Sequence, residues 1–472
     1  MVDRDAVQQA SVAPLGSDTL WGHPKGVYFL AMTEAWERFS FYGMRGLLIL
    51  YMVQELLLAG HVENVAGMGP FRNGVEAVFG QLSDQAFASQ LFGLYAGFVY
   101  FTPLLGGLLA DKWLGARRTV ILGIALMAAG HFAMIWEQSV LVALLLLILG
   151  SGCLKGNIAA QVGHLYPKYD EARRSKGFTI FSTGINIGAV AGPLVCGLLA
   201  QIYGWHVGFG TAGAIMLVAA IVYFSGLKYL APDRKGGDEP HPALTGADRK
   251  MMSMVFLILI IVLFHSIAYD QMFNVGLLWV ADNVALNTAL GTVPVPWYAS
   301  EDSLASILVV PLLLLVWRWQ ERRGRPPSDL HKIGVGSAIM AASAGMLAIG
   351  SLVAGEGKVP IVYPTIAFFL SGLSFMYVWP TALALVSRRS PPVINARMMA
   401  GTYLVAFFSG IFSGWLGRFY EPLPPHLFWL MMAAISLAGT LAVALFGRTI
   451  NARMDALDHQ QDVNWRVAAA TV

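Results

Sequence analysis

Charge is what this sequence has least of. Only 12% of its residues are Asp, Glu, Lys or Arg, against about a quarter in a soluble globular chain. Hydrophobic residues make up 56%, and the mean hydropathy is +0.61. These values exclude an ordinary soluble domain and mark a polytopic membrane protein. A formal net charge of only +3 leaves no basic footprint for a nucleic-acid partner. Cysteine is scarcer still. Cys153 and Cys196 both fall in apolar segments, as small packing residues and not as a disulfide or metal pair. Residues 1–20 lack an apolar core followed by a cleavage site, so no signal peptide is expected and the first hydrophobic segment is a retained anchor. No GxxxxGK[ST] phosphate loop is present, which removes nucleotide hydrolysis as a source of drive. Nor is there an HxxxD, HExxH or GxSxG constellation such as a membrane enzyme would need.

What the chain does have is hydrophobic length in regular portions. Twelve spans are predicted, over 26–56, 87–110, 118–136, 138–165, 177–203, 205–228, 250–283, 303–321, 333–355, 360–387, 396–419 and 426–448. The loops test that count. With the N-terminus inside, inner segments hold 25 of the 31 Lys and Arg; outer loops hold three (Arg72, Lys358, Arg418), and three are intramembrane (Arg38, Arg45, Lys155). The asymmetry puts both termini in the cytoplasm of a multi-pass cell-membrane (inner or plasma membrane) protein. The expected organisation is a tail over 1–25, a six-helix bundle over 26–228, a cytoplasmic linker over 229–249, a second six-helix bundle over 250–449 and a tail over 450–472. Each half carries a basic inner loop after its second span, DKWLGARR at 111–118 and RWQERRGR at 318–325. That correspondence fits two pseudo-symmetric bundles with a site between them near the midplane. The outer stretch 57–86 reads as an extension of the first span plus an ordered loop, with no assigned chemistry.

Polar groups at membrane depth carry the functional signal. The first span holds Glu34, Glu37, Arg38 and Arg45. At 100° per residue, Arg38 lies about 40° and Arg45 about 20° round from Glu34, with Glu37 about 60° to the other side. The four charges share one helical face. Each would cost roughly 2.5–3.5 kcal/mol at a bilayer centre, so this face must look into a protein interior or an aqueous cavity. Either a static ion-pair ladder or a solute and ion pathway would satisfy it; buried pairs stabilise poorly compared with apolar packing, which favours the pathway. In the fourth span Lys155 stands between Gly152 and Gly156, where small neighbours let a helix or solute approach the ammonium. In the seventh, Asp270 is a natural proton site. In the fifth, Asn186 offers an amide among four glycines. Tyr42, Tyr95 and Tyr100 accompany these groups, whereas His131, His164 and His265 lack ligand spacing and read as structural.

The segment EAWERFSFYGMR resembles the ExxER motif in the first helix of the proton-dependent oligopeptide transporters, a branch of the major facilitator superfamily. GGLLADKWLGARRTVILG is similar to that family's loop after the second span, LKGNIAAQVGHLY to its lysine-bearing fourth span and FTIFSTGINIGAVAGPLVCG to its fifth-span signature; YDQ at 269–271 is a looser match. The resemblance implies an all-α major facilitator fold with twelve transmembrane helices in two six-helix bundles. It also implies a proton-coupled symporter importing di- and tripeptides, a monomer with no cofactor or metal beyond the coupling proton. The same fold could instead carry a modified peptide, a peptide-like drug or an organic anion. Carried over, Glu34, Glu37 and Arg38 with Asp270 are the proton-coupling residues. Arg38 and Lys155 face the peptide carboxylate, and Tyr42, Tyr100 and Asn186 line the pocket. Arg45 pairs with Asp270 across the outer gate. The chain departs from the family at Phe41, where a tyrosine is usual, at Ser266, where a tryptophan is usual, and at Phe375, where the tenth span usually has an acid. Asp302 is expected to supply that missing negative charge to the peptide amine.

Overall fold

Long apolar segments close their backbone hydrogen bonds internally, which is why a chain of this composition becomes helices. The computed structural model describes residues 18–167, 170–232, 244–289, 291–324, 326–391 and 394–470. The expected N-terminal tail up to residue 17, the linker over 233–243 and the last two residues lie outside the described residues. Fourteen α-helices occupy nearly all of the rest: α1 (Lys25–Tyr51), α2 (Met68–Phe79), α3 (Asp84–Leu109), α4 (Ala116–Ala133), α5 (Val140–His164), α6 (Glu171–Tyr203), α7 (Trp205–Gly226), α8 (Gly246–Phe273), α9 (Val275–Asn283), α10 (Trp297–Arg322), α11 (Asp329–Ala354), α12 (Val362–Arg389), α13 (Asn395–Leu416) and α14 (Pro425–Ala470). Two minimal hairpins complete the picture: β1 (Thr19–Leu20) with β2 (His23–Pro24), and β3 (Asn287–Thr288) with β4 (Gly291–Thr292).

Eleven of the twelve predicted spans coincide with one helix each, and the seventh covers two. Among the described residues, ten helices are long and apolar enough to cross a membrane. The two predicted spans outside that set are α1, with its ionised face, and α4, which opens on Arg117 and Arg118.

The chain departs from the sequence reading at several boundaries. The outer stretch 57–86 contains a separate helix, α2, whose Arg72 is fastened to Glu76 and Asp84. The two basic inner loops are largely helix ends: Ala110–Leu114 is a π-helical turn running to Gly115, and α10 continues to Arg322. Gly115, at φ 79°, makes the reversal that a side chain would strain. The last helix does not stop near 448 but runs to Ala470, so much of the expected tail is helical. The seventh span is broken at Asn274 (φ −95°, ψ −103°) into α8 and α9. There the Asn274 amide turns to donate to Ser89 on α3, a competing partner of the kind that lets Asn leave a helix.

Glycines decide which helices meet. Gly184, Gly188 and Gly192 recur every fourth residue on α6, so they form one stripe. A Cβ there would lie 2.4, 2.2 and 2.3 Å from the carbonyl oxygens of Ala31, Ala35 and Phe39 on α1. Only glycine permits that approach, and it lays α6 along the charged helix. A second set joins helices of the first six predicted spans to the last six: a Cβ on Gly93 of α3 would sit 2.3 Å from Gly410 O, and one on Gly97 2.8 Å from Phe407 O, both on α13. The opposite seam, α6 against α10, is closed by side chains. Trp297 Nε1 donates to Leu194 O (3.0 Å) and Ser300 Oγ to Val190 O (2.7 Å).

Candidate functional site

The glycine stripe of α6 presses α1 into the interior and carries its ionised face with it. Glu34, Glu37, Arg38 and Arg45 are at most 6% exposed. The face therefore looks into protein, closed off from solvent in this structure. Arg38 Nε lies 3.1 Å from Glu34 Oε1 and also contacts Glu37 Oε2, so one guanidinium nitrogen answers two carboxylates. The arrangement is incompletely satisfied. Glu34 Oε2, Glu37 Oε1, Arg38 Nη2 and Arg45 Nε are buried without a hydrogen-bond partner among the described residues. Buried polar atoms are nearly always paired, and a finished ion-pair ladder would leave no such remainder.

Lys155 reaches this group from α5. Its helix closes on α3 at Gly152, where a Cβ would lie 2.6 Å from that of Thr102. That approach sets the ammonium against two rings: Nζ is 4.4 Å from the centroid of Phe41 and 4.4 Å from that of Tyr100. Nζ is buried and makes no hydrogen bond among the described residues. Cation–π attraction in a desolvated setting is worth about 2 kcal/mol, less than an ammonium gains from a carboxylate. Tyr100 stacks in turn on Tyr403 of α13, and Tyr42 packs edge-on against Phe41.

The helices after residue 246 contribute the other wall. Asp270, near the end of α8, accepts from Arg45 Nη2 (3.2 Å) and from Ser409 Oγ of α13 (2.6 Å). Arg45 lies over the rings of Phe92 and Phe273 as well. This ion pair joins α1 to α8 across the two sets of helices. Asp302, on α10, is buried and accepts from the Tyr269 hydroxyl at 2.9 Å. The Tyr269 ring is stacked between His265 and Phe375, and His265 Nε2 lies 3.2 Å from Ser374 Oγ. Asp302 thus stands one side chain away from Phe375.

Glu34, Glu37, Arg38, Tyr42, Tyr100 and Lys155 form one group, Arg45 with Asp270 a bridge from it, and Asp302 a neighbouring carboxylate. Asn186 is not brought in. It is exposed, two residues off the glycine stripe, and no hydrogen bond ties it to the group. The residues missed by sequence reasoning are Ser409 and Tyr403, which carry no charge in a hydrophobic span. Phe41 and Tyr269 were named there only as a departure from the family motif and as part of YDQ, and the structure sets them against Lys155 and Asp302.

With this geometry in place, comparison with known proteins is informative. A family model described as the POT family matches residues 117–240 and 242–395, more than half of the chain. A di-/tripeptide transporter of Lactococcus lactis subsp. cremoris is 27% identical over 82% of this chain and 87% of that protein. A peptide transporter of Yersinia enterocolitica is 27% identical over 87% of this chain and 90% of that protein. Among solved structures, a POT peptide transporter in complex with alafosfalin superposes with a TM-score of 0.82 at 24% identity, over 92% of this chain and 97% of that one. That agreement establishes the fold, a major facilitator arrangement of helices.

Proposed function

The chain belongs to the POT family of membrane transporters, and from that premise we propose that it imports di- and tripeptides across the cell membrane in symport with protons. The observation that carries this reading is the Lys155 ammonium, held by two rings and, among the described residues, by no hydrogen-bond acceptor, one helix away from an Arg38 whose Nη2 likewise has no partner among them. Two incompletely answered cations side by side fit a carboxylate that arrives and leaves. A peptide also needs an acceptor for its amine. We assign that role to Asp302; its support is that the carboxylate accepts from Tyr269, whose ring stacks on Phe375, where the family resemblance leads one to expect an acid.

The coupling follows from charge. In their ionised forms Arg38, Arg45 and Lys155 balance Glu34, Glu37 and Asp270. A proton on one of these carboxylates leaves one positive charge for the peptide carboxylate, while Asp302 meets the peptide amine. A proton on Glu37 weakens its hold on Arg38 and frees the guanidinium for the peptide carboxylate. A proton on Asp270 releases Arg45 and with it the bridge between the helix sets, so cargo and opening respond to the same ion. The membrane potential adds about 2.3 kcal/mol per charge per 100 mV. Tyr42 and Tyr100 shape the pocket wall. Asn186 reaches it only in a conformation where α6 has turned relative to α10. In this reading both termini are cytoplasmic and the two six-helix bundles, 26–228 and 250–449, move about the site as a monomer.

The test is uptake of a labelled dipeptide into proteoliposomes under an inward proton gradient, wild type beside Glu37→Gln. Driven uptake should disappear in the variant while peptide counterflow persists in part. Equal driven uptake by both proteins removes Glu37 from coupling. A second reading, a modified peptide or peptide-like drug as cargo, draws on the Tyr269–Phe375 stack, which offers an apolar surface where an acid is usual. Related structures hold alafosfalin and a thioalcohol-conjugated peptide. Competition by dialanine against the labelled cargo separates the two readings.

A further inference from the structure

A second cluster of ionisable side chains lies far from the transport group, at the end of the molecule where α1, α4 and α6 finish. Glu55 belongs to the π-helical turn Met52–Leu56 that closes α1, His61 to the loop beyond it, Glu137 to the turn before α5, and His206 to the start of α7. One ligand atom each from Glu55, His61 and Glu137 lie within 4.8 Å of one another. His61 Nδ1 contacts Glu137 Oε1, and His206 Nε2 is 3.5 Å from Glu55 Oε1. The placement is supported from behind. Ala66 N–H donates to Gln138 O (3.1 Å), which docks the loop on the turn. Asn64 Nδ2 donates to Glu137 Oε2 (3.3 Å) and to Gly60 O (3.0 Å). The Tyr51 ring packs edge-on against the His206 imidazole.

We propose that Glu55, His61, Glu137 and His206 form a divalent transition-metal site that takes Zn²⁺ or Co²⁺. Two imidazoles and two carboxylates make a four-ligand nitrogen and oxygen set, the composition zinc accepts at about 2.0–2.2 Å per ligand. Hard cations such as Mg²⁺ and Ca²⁺ take oxygen ligands and would not select the histidines. The charges also balance: two carboxylates from separate turns face each other, and one divalent ion answers both. All four side chains end on rotatable bonds, so they can close from their present spacing to coordination distance without moving a helix. The ligands come from four turns within residues 55–206, so the ion clasps the ends of neighbouring helices. No ligand spacing along the sequence announces the site, because the fold alone assembles it.

The experiment uses the full chain in detergent micelles, stripped with EDTA and titrated with ZnCl₂ by calorimetry and with CoCl₂ by visible absorption. Saturable binding of about one zinc per chain, with cobalt bands of tetrahedral character, is the expected result. The His61→Ala/Glu137→Gln double variant should bind at least tenfold more weakly, in line with lost ligands or their supports at other metal sites. Exposed His331 lies on α11, and His331→Ala should leave binding unchanged. Thermal unfolding in EDTA reports whether the double variant folds; if it does not, Glu55→Gln and His206→Ala provide the same tenfold comparison. The proposal is overturned if the wild type shows no saturable zinc binding, or if these variants bind zinc as well as the wild type does. The four residues would then be two histidine–glutamate ion pairs and nothing more.

Discussion

The two walls of the central group are built from different chemistry. On the α1 and α5 side, carboxylates meet cations: Glu34 and Glu37 share Arg38, and Lys155 waits between rings. On the α8, α10 and α13 side, carboxylates meet mostly neutral donors. Asp302 has the Tyr269 hydroxyl, and Asp270 has Ser409 besides its one cation, Arg45. A carboxylate held by a guanidinium changes its partner's freedom when it takes up a proton, whereas one held by a hydroxyl largely keeps its geometry. The first wall, with the Arg45–Asp270 bridge that reaches from it, is suited to switching, and the rest of the second wall to shaping the space for cargo.

This contrast can be broken by mutation. The largest effect is expected from Arg38→Ala, which leaves two buried carboxylates without their shared cation. Removing one partner of a buried pair costs about 3–5 kcal/mol, so dipeptide uptake into proteoliposomes should fall on the order of a hundredfold or more. Asp302→Ala removes a carboxylate that accepts from a hydroxyl, not from a guanidinium. We expect peptide affinity about tenfold lower, read from the concentration dependence of uptake, with gradient-driven accumulation at saturating peptide preserved. If accumulation collapsed instead, Asp302 would belong with the switching wall. Phe41→Leu keeps the apolar volume but removes one ring from Lys155. A loss of about 1 kcal/mol predicts a roughly fivefold drop in affinity that is strongest for peptides with a free carboxylate, so carboxylate-amidated peptides serve as the control. The smallest effect belongs to Ser409→Ala, which takes one neutral hydrogen bond from Asp270, about 1 kcal/mol, and should slow uptake only a few-fold. Should Ser409→Ala match Arg38→Ala, the distinction between the walls would be lost.

The switching wall was legible in the sequence because charges in apolar spans are conspicuous. Glu34, Glu37, Arg38 and Arg45 could be placed on one face by helical geometry alone, and the structure finds that face buried along the glycine stripe of α6. The span pattern was equally readable, since hydropathy reports length directly. The shaping wall was harder to read. Ser409 and Tyr403 look like any other residue of a hydrophobic helix until a neighbour arrives, and their roles depend on which helices pack together. Asn186 shows the converse: the family resemblance implied a pocket residue, but two residues along a helix turn a side chain nearly to the opposite face, and in this structure it is exposed. Helix ends were missed for a related reason. The π-helical turn Ala110–Leu114 and the continuation of α14 place polar residues in helices, where hydropathy reads loop.

The break at Asn274 gives the molecule a joint. Its amide is fastened to Ser89 on α3, so in the proposed transport cycle the point where α8 yields is anchored in the opposite set of helices. Torque applied through α8 therefore pivots about a fixed pin instead of bending the rod, and the short segment Val275–Asn283 can keep its station while the longer one swings. With Asp270 a single turn from that pin, a small rotation there suffices to draw its carboxylate toward Arg45 or away.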